Sequence, residues 1–172
     1  MPELQVRKLH PALGAEVMGL DMRIVPDAAT FRRLHEIWME HLVLVFPDQN
    51  ISDEQHVAFT RCYGDLEVHH QKIIRSRFLP EIFRVSNVND EGILMPPDHP
   101  TVRQVSLAQF WHTDSSFRER PCVGSILHGV EISRTGGETH FTNMYAVYDA
   151  LPDSLKRQAR GRCALPDFGH LH

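Results

Sequence analysis

The sequence predicts an α+β domain, mainly β, with a small antiparallel barrel or jelly roll as its core and helices flanking it. Three observations carry this expectation. Residues 109–117 (Gln-Phe-Trp-His-Thr-Asp-Ser-Ser-Phe) read as an extended segment bearing His112 and Asp114. Residues 123–133 (Val-Gly-Ser-Ile-Leu-His-Gly-Val-Glu-Ile-Ser) are rich in β-branched and apolar side chains and read as a long strand. The turn Arg134-Thr135-Gly136-Gly137, with two glycines free to take positive φ, returns the chain into a third strand, residues 138–142 (Glu-Thr-His-Phe-Thr). Successive strands joined this way suit an antiparallel barrel or jelly roll.

The amino-terminal half reads as scaffold. Asp27 precedes a helix whose apolar stripe is Phe31, Leu34, Ile37, Trp38 and His41. Residues 42–46 (Leu-Val-Leu-Val-Phe) form a continuous apolar run, as expected of a strand buried on both faces. Pro47-Asp48-Gln49-Asn50 ends it, and Ser52 with Gln55 fits a capping box opening a helix that Gly64 closes. Residues 81–86 (Glu-Ile-Phe-Arg-Val-Ser) alternate as a half-buried strand. Residues 89–100, rich in Pro, Gly and Asp, are an irregular loop placed as a lid or substrate-binding loop would be. Past Asn143 a helix begins, breaks at Pro152 and resumes through Leu155 and Arg160.

Composition narrows the function classes. The 172 residues suffice for one domain with a core, and a net charge of −4 without a Lys/Arg run argues against nucleic-acid binding. Cys62, Cys122 and Cys163 are odd in number and lack CxxC spacing, so they read as reduced thiols of a cytoplasmic protein. Met1-Pro2-Glu3-Leu4-Gln5 shows no signal-peptide pattern, and the apolar run 42–46 is far too short to span a bilayer. A small-molecule partner is expected, with neither nucleic acid nor membrane; self-association into a homo-oligomer is left open.

His112 and Asp114 are the candidate metal ligands. On an extended segment, side chains two apart point to one face, which brings an imidazole nitrogen and a carboxylate oxygen to one ion. Two-thirds of a 2-His-1-carboxylate facial triad would look like this, leaving open positions on Fe(II). Twelve histidines and eleven aspartates supply about one such pair by chance, so the flanking pattern has to decide.

That pattern resembles the taurine dioxygenase/2,4-dichlorophenoxyacetate dioxygenase (TauD/TfdA) family. The matching parts are Trp111-His112-Thr113-Asp114, Gly136-Gly137-Glu138-Thr139 and Tyr148-Asp149-Ala150-Leu151-Pro152. Leu13-Gly14-Ala15-Glu16-Val17, His41-Leu42-Val43-Leu44-Val45-Phe46 and Gly64-Asp65-Leu66-Glu67 also resemble it. The resemblance implies a double-stranded β-helix fold within one domain, residues 1–100 forming the scaffold and lid loop and 101–172 the first part of the jelly roll. It implies Fe(II) as metal, 2-oxoglutarate and O₂ as co-substrates, and a small organic acid (sulfonate, aryloxyalkanoate or sulfate ester) oxidised with release of succinate and CO₂.

By the same resemblance, His112 and Asp114 ligate the metal, Thr139 donates to the distal carboxylate of 2-oxoglutarate, and His69 touches the acid group of the substrate, with His70 a weaker candidate. Ala108 departs from the taurine-specific pattern, where an amide residue is expected. Trp111, Phe117, His128 and His140 read as structural.

The family also uses a second histidine ligand, followed by an arginine that grips the keto acid in a bidentate fork. His170 and His172 offer the spacing of compact oxygenases. The preferred expectation is a domain incomplete at its carboxy terminus, with both groups supplied further on. A cupin-like, non-oxidative metalloenzyme would keep the barrel and metal but not need Thr139. A catalytically incomplete or dead metal-binding module would dispense with the arginine and second histidine.

Overall fold

The computed structural model describes residues 3–69, 72–89 and 91–164. It is a mixed α/β structure with one small sheet. The described residues of Met1–Gln55 and Leu127–Leu165 form one compact unit, and those of His56–Ile126 form a second.

The first unit is built on three strands, β1 (Gln5–Lys8), β2 (Ala15–Met18) and β3 (Leu44–Val45). β2 is central, antiparallel to β1 with Val6 opposite Val17, and parallel to β3 with Ala15 opposite Leu44. A parallel pair needs a long crossover, and helix α1 (Ala28–His41) provides it. Asp27 caps α1 by accepting the Thr30 N–H at 2.8 Å. The expected stripe turns inward at Leu34 and Ile37, both fully buried, as are Ala15 and Val17 of β2. The helix ends at Leu42, whose φ of 65° lets its N–H reach Trp38 O while its own carbonyl accepts Trp38 Nε1–H at 3.0 Å.

That ending corrects the expectation for residues 42–46. Only Leu44 and Val45 pair, and Val45 is exposed. Leu42 is spent on the helix cap and Pro47 follows at once, so two residues remain for the ladder. Gln49 ties the neighbouring loops, its amide accepting from Met22 N–H and donating to Leu20 O and Pro47 O. His128 Nε2 donates to Gln49 O at 3.3 Å.

α2 (Asp53–Thr60) opens on the expected capping box: Ser52 N–H donates to Gln55 Oε1 at 2.8 Å, and Gln55 N–H to Ser52 Oγ at 3.3 Å. A 3₁₀ turn, Arg61–Tyr63, follows, and Gly64 at φ 133° closes it. In the second unit, residues 81–86 are not a strand. They make a single antiparallel bridge, Arg75 with Phe83, and the exposed positions are Phe83 and Val85. The loop after them is pinned by a bridge between Val88 and Leu94 and ends where Pro100 opens α3 (Pro100–Ser106).

The largest departure lies in the second half. Neither residues 109–117, nor 123–133, nor 138–142 form a ladder. A strand is defined by its hydrogen-bonding neighbours, and among the described residues these segments have none. Their apolar side chains, Val123, Leu127, Val130, Ile132 and Phe141, are exposed. Beyond them, α4 (Met144–Ala150), capped by Asn143, and α5 (Asp153–Ala159) flank Pro152 as expected. The three cysteines are free thiols, and among the described residues no helix is long and apolar enough to cross a membrane.

Candidate metal centre

His112 and Asp114 converge although the segment is unpaired. The chain leaves the 3₁₀ turn Leu107–Gln109, bends at Phe110, runs irregularly through Thr113 and turns from Asp114. The two side chains meet all the same, with His112 Nε2 3.1 Å from Asp114 Oδ1. The other ring nitrogen, Nδ1, lies 2.7 Å from Phe110 O. A carbonyl only accepts, so Nδ1 carries a proton, and Nε2 faces Asp114 with either a second proton or a lone pair. Two acceptors facing each other at this distance need a shared cation, either a proton or a metal ion.

The donor set fits a metal. With metal–donor lengths of about 2.1 Å, two adjacent octahedral donors lie about 3.0 Å apart. Both donors also have the outer partners that ligands have. Phe110 O fixes the imidazole tautomer, and Asp114 Oδ2, the oxygen turned away from His112, accepts from Ser125 Oγ at 2.6 Å. Cys122 Sγ reaches Asp114 O at 3.7 Å. The two side chains remain 51% and 48% exposed, so the pair is accessible. Among the described residues no group of three His, Cys, Asp or Glu gathers around one point.

The turn after Asp114 is held by Glu67. Ser115 takes a left-handed φ of 53°, and its hydroxyl donates to Glu67 Oε2 at 2.6 Å. Arg118 Nη2 meets Glu67 Oε1 at 2.8 Å, and its guanidinium carbon lies 5.8 Å from the centre of the Phe117 ring.

The other expected site residues stand on their own elements. Thr139 is an exposed residue of the first unit, just past Gly136 and Gly137, whose φ values of 73° and 79° make the expected glycine turn. His69 belongs to the second unit: its ring lies 5.1 Å from that of Phe83, and its carbonyl accepts from Arg75 Nε. His70, His170 and His172 lie outside the described residues.

Sequence reasoning did not single out Ser125 or Ser115, nor give Glu67 a role. The available signal for Ser125 was a lone hydroxyl inside the apolar run Val123-Gly124-Ser125-Ile126-Leu127. For Glu67 it was membership of a matching motif that lacked a role.

A His–Asp pair two residues apart, each member held by an outer hydrogen bond, supplies two of the three donors that a 2-His-1-carboxylate site needs. The chain matches the model of the taurine catabolism dioxygenase TauD, TfdA family over residues 5–172 and belongs to that family. It is 36% identical over 156 residues to the alpha-ketoglutarate-dependent 2,4-dichlorophenoxyacetate dioxygenase of Cupriavidus pinatubonensis, covering 89% of this chain and 54% of that protein. It is 31% identical over 157 residues to the (S)-phenoxypropionate/alpha-ketoglutarate-dioxygenase of Sphingobium herbicidovorans, covering 90% and 50%. The crystal structure of AAD-2 in complex with Mn(II) and N-oxalylglycine superposes with a TM-score of 0.76 at 30% identity, covering 91% of this chain and 52% of that one. The chain thus spans about half the length of these relatives.

Proposed function

We propose that this chain is part of an Fe(II)- and 2-oxoglutarate-dependent dioxygenase that oxidises a small organic acid of the aryloxyalkanoate, sulfonate or sulfate ester class. The observation that carries the reading is the approach of His112 Nε2 to Asp114 Oδ1, with the tautomer set by Phe110 O and the far oxygen occupied by Ser125. Family membership supports it, as does the Mn(II) and N-oxalylglycine held by AAD-2.

His112 and Asp114 would hold the metal together with a further histidine from outside the described residues. When bound, the iron and the keto acid supply the oxidative chemistry, with O₂ as oxidant and succinate and CO₂ as products. Ser125 donates to Asp114 Oδ2 and so would leave Oδ1 as the oxygen available to the metal. Thr139 donates to the distal carboxylate of 2-oxoglutarate, and an arginine from outside the described residues completes that grip. His69, its ring braced by Phe83, binds the acid group of the substrate. Residues 101–172 contribute the first strands of a jelly roll whose partners cover Val123, Leu127, Val130 and Ile132.

Ala108 in place of an amide residue, together with the aryloxyalkanoate names of the relatives, favours an aryloxyalkanoate over taurine. The test supplies the whole protein, of which this chain is a part, with Fe(II), 2-oxoglutarate and air, and measures succinate with 2,4-dichlorophenoxyacetate or taurine. The reading expects succinate release that rises with the aryloxyalkanoate more than with taurine. No 2-oxoglutarate-dependent succinate with any acid of the three classes would overturn it.

A further inference from the structure

We infer that Glu67 is a positioning residue for the metal ligand Asp114, acting through the left-handed turn that begins at Ser115. The inference rests on the metal reading of His112 and Asp114 and adds a residue to it.

The turn is the weak part of the centre. Asp114 is followed directly by Ser115 at φ 53°, a conformation that a residue with a Cβ adopts only when its surroundings impose it. A shift of Ser115 back to negative φ would swing the Asp114 backbone and move Oδ1 from its place 3.1 Å from His112 Nε2. Local hydrogen bonds support the turn only in part: Arg118 N–H donates to Ser115 O at 3.0 Å, and Ser116 N–H to Thr113 O at 3.4 Å.

Glu67 provides the rest from 48 residues away in sequence. One carboxylate oxygen takes the Ser115 hydroxyl at 2.6 Å and the other takes Arg118 Nη2 at 2.8 Å, so a single side chain grips the turn at both ends. The grip is charge-assisted and partly buried, Glu67 being 28% and Arg118 36% exposed. Arg118 Nε is buried without a hydrogen-bond partner among the described residues, and Glu67 faces the same guanidinium through Nη2. Glu67 lies two residues before His69, so the clamp joins the segment carrying the proposed substrate contact to the turn carrying the metal ligand.

The test is Mn(II) binding to the metal-free protein, followed by the electron paramagnetic resonance of unbound Mn(II), with thermal unfolding recorded beside it. Glu67→Ala should weaken Mn(II) binding by about tenfold or more, the scale on which outer partners act. Glu67→Gln, which keeps an acceptor for Arg118 and a polar partner for Ser115, should stay within about threefold of the parent. In a Ser115→Gly background the Glu67→Ala loss should shrink, because glycine holds positive φ unaided.

Binding within about twofold of the parent in Glu67→Ala, while His112→Ala abolishes it, would overturn the role of Glu67 and leave the metal centre standing. An equal loss in both Ser115 backgrounds, tracking a fall in thermal midpoint, would also overturn it, since Glu67 would then serve stability alone. A parent that does not bind Mn(II), or that binds it no better than His112→Ala, would overturn the metal reading and this inference with it.

Discussion

The Ser125 hydroxyl donates to Asp114 Oδ2 at 2.6 Å, at the carboxylate oxygen that does not face His112. Each oxygen of Asp114 therefore has one task, and the carboxylate cannot rotate without breaking both contacts. Ser125→Ala should lower affinity for Fe(II) or Mn(II) by about 10- to 100-fold, while Ser125→Thr should retain most of it. Metal titration of the two variants checks this; equal affinities for Ala and Thr would remove the hydroxyl from the account.

Thr139 tests the keto-acid half of the site. Thr139→Val keeps the shape and removes the donor, so KM for 2-oxoglutarate should rise more than kcat falls, as for a contact made equally in ground and transition states. The cost should be about 0.5–1.5 kcal/mol, or roughly 2- to 13-fold in KM. Steady-state kinetics with varied 2-oxoglutarate reads it directly, and an unchanged KM would exclude Thr139.

Leu34 is fully buried in α1, on the same inward stripe as Ile37. Leu34→Ala leaves a cavity at a site with little room to collapse and should cost about 2–5 kcal/mol of stability. Urea unfolding, comparing midpoints at constant slope, checks the figure. A loss well below that range would mean the core around α1 relaxes freely.

Asp27 gives the first unit a pH dependence. Accepting the Thr30 backbone N–H holds its carboxyl below the usual carboxylate range. A depressed carboxylate contributes stability that is complete above its unfolded pKa and is lost as pH falls through the folded value. Asp27→Asn should therefore differ from the parent at pH 7 and converge with it toward pH 3. Urea midpoints at the two pH values measure this, and a gap that persists in acid would point to a cause other than ionisation.

What the sequence made legible follows from how local each signal is. The start of α1 after Asp27, its inward stripe, the Ser52–Gln55 box and the break at Pro152 depend on residues within a few positions of one another, and the structure shows them all. The same-face placement of His112 and Asp114 is also local, which is why it survives without a ladder. Strands are not local. Residues 123–133 carry the composition of a strand, but the ladder depends on partners that the segment itself cannot specify. Ser125 and Glu67 act across 11 and 48 residues on Asp114 and Ser115, and no periodicity reports such pairings. The short β3 is a different case, since the demand of α1 for a cap at Leu42 overrode an apolar run that read as a strand.

The central claim is that His112 and Asp114 ligate one metal ion to which 2-oxoglutarate also binds. Anaerobic titration of the whole protein, of which this chain is a part, with Fe(II) and then 2-oxoglutarate, followed by visible absorbance, tests it most directly. The account predicts a visible charge-transfer band that saturates with the keto acid in the parent and is absent from His112→Ala and Asp114→Ala. A band of undiminished intensity in either variant would contradict it.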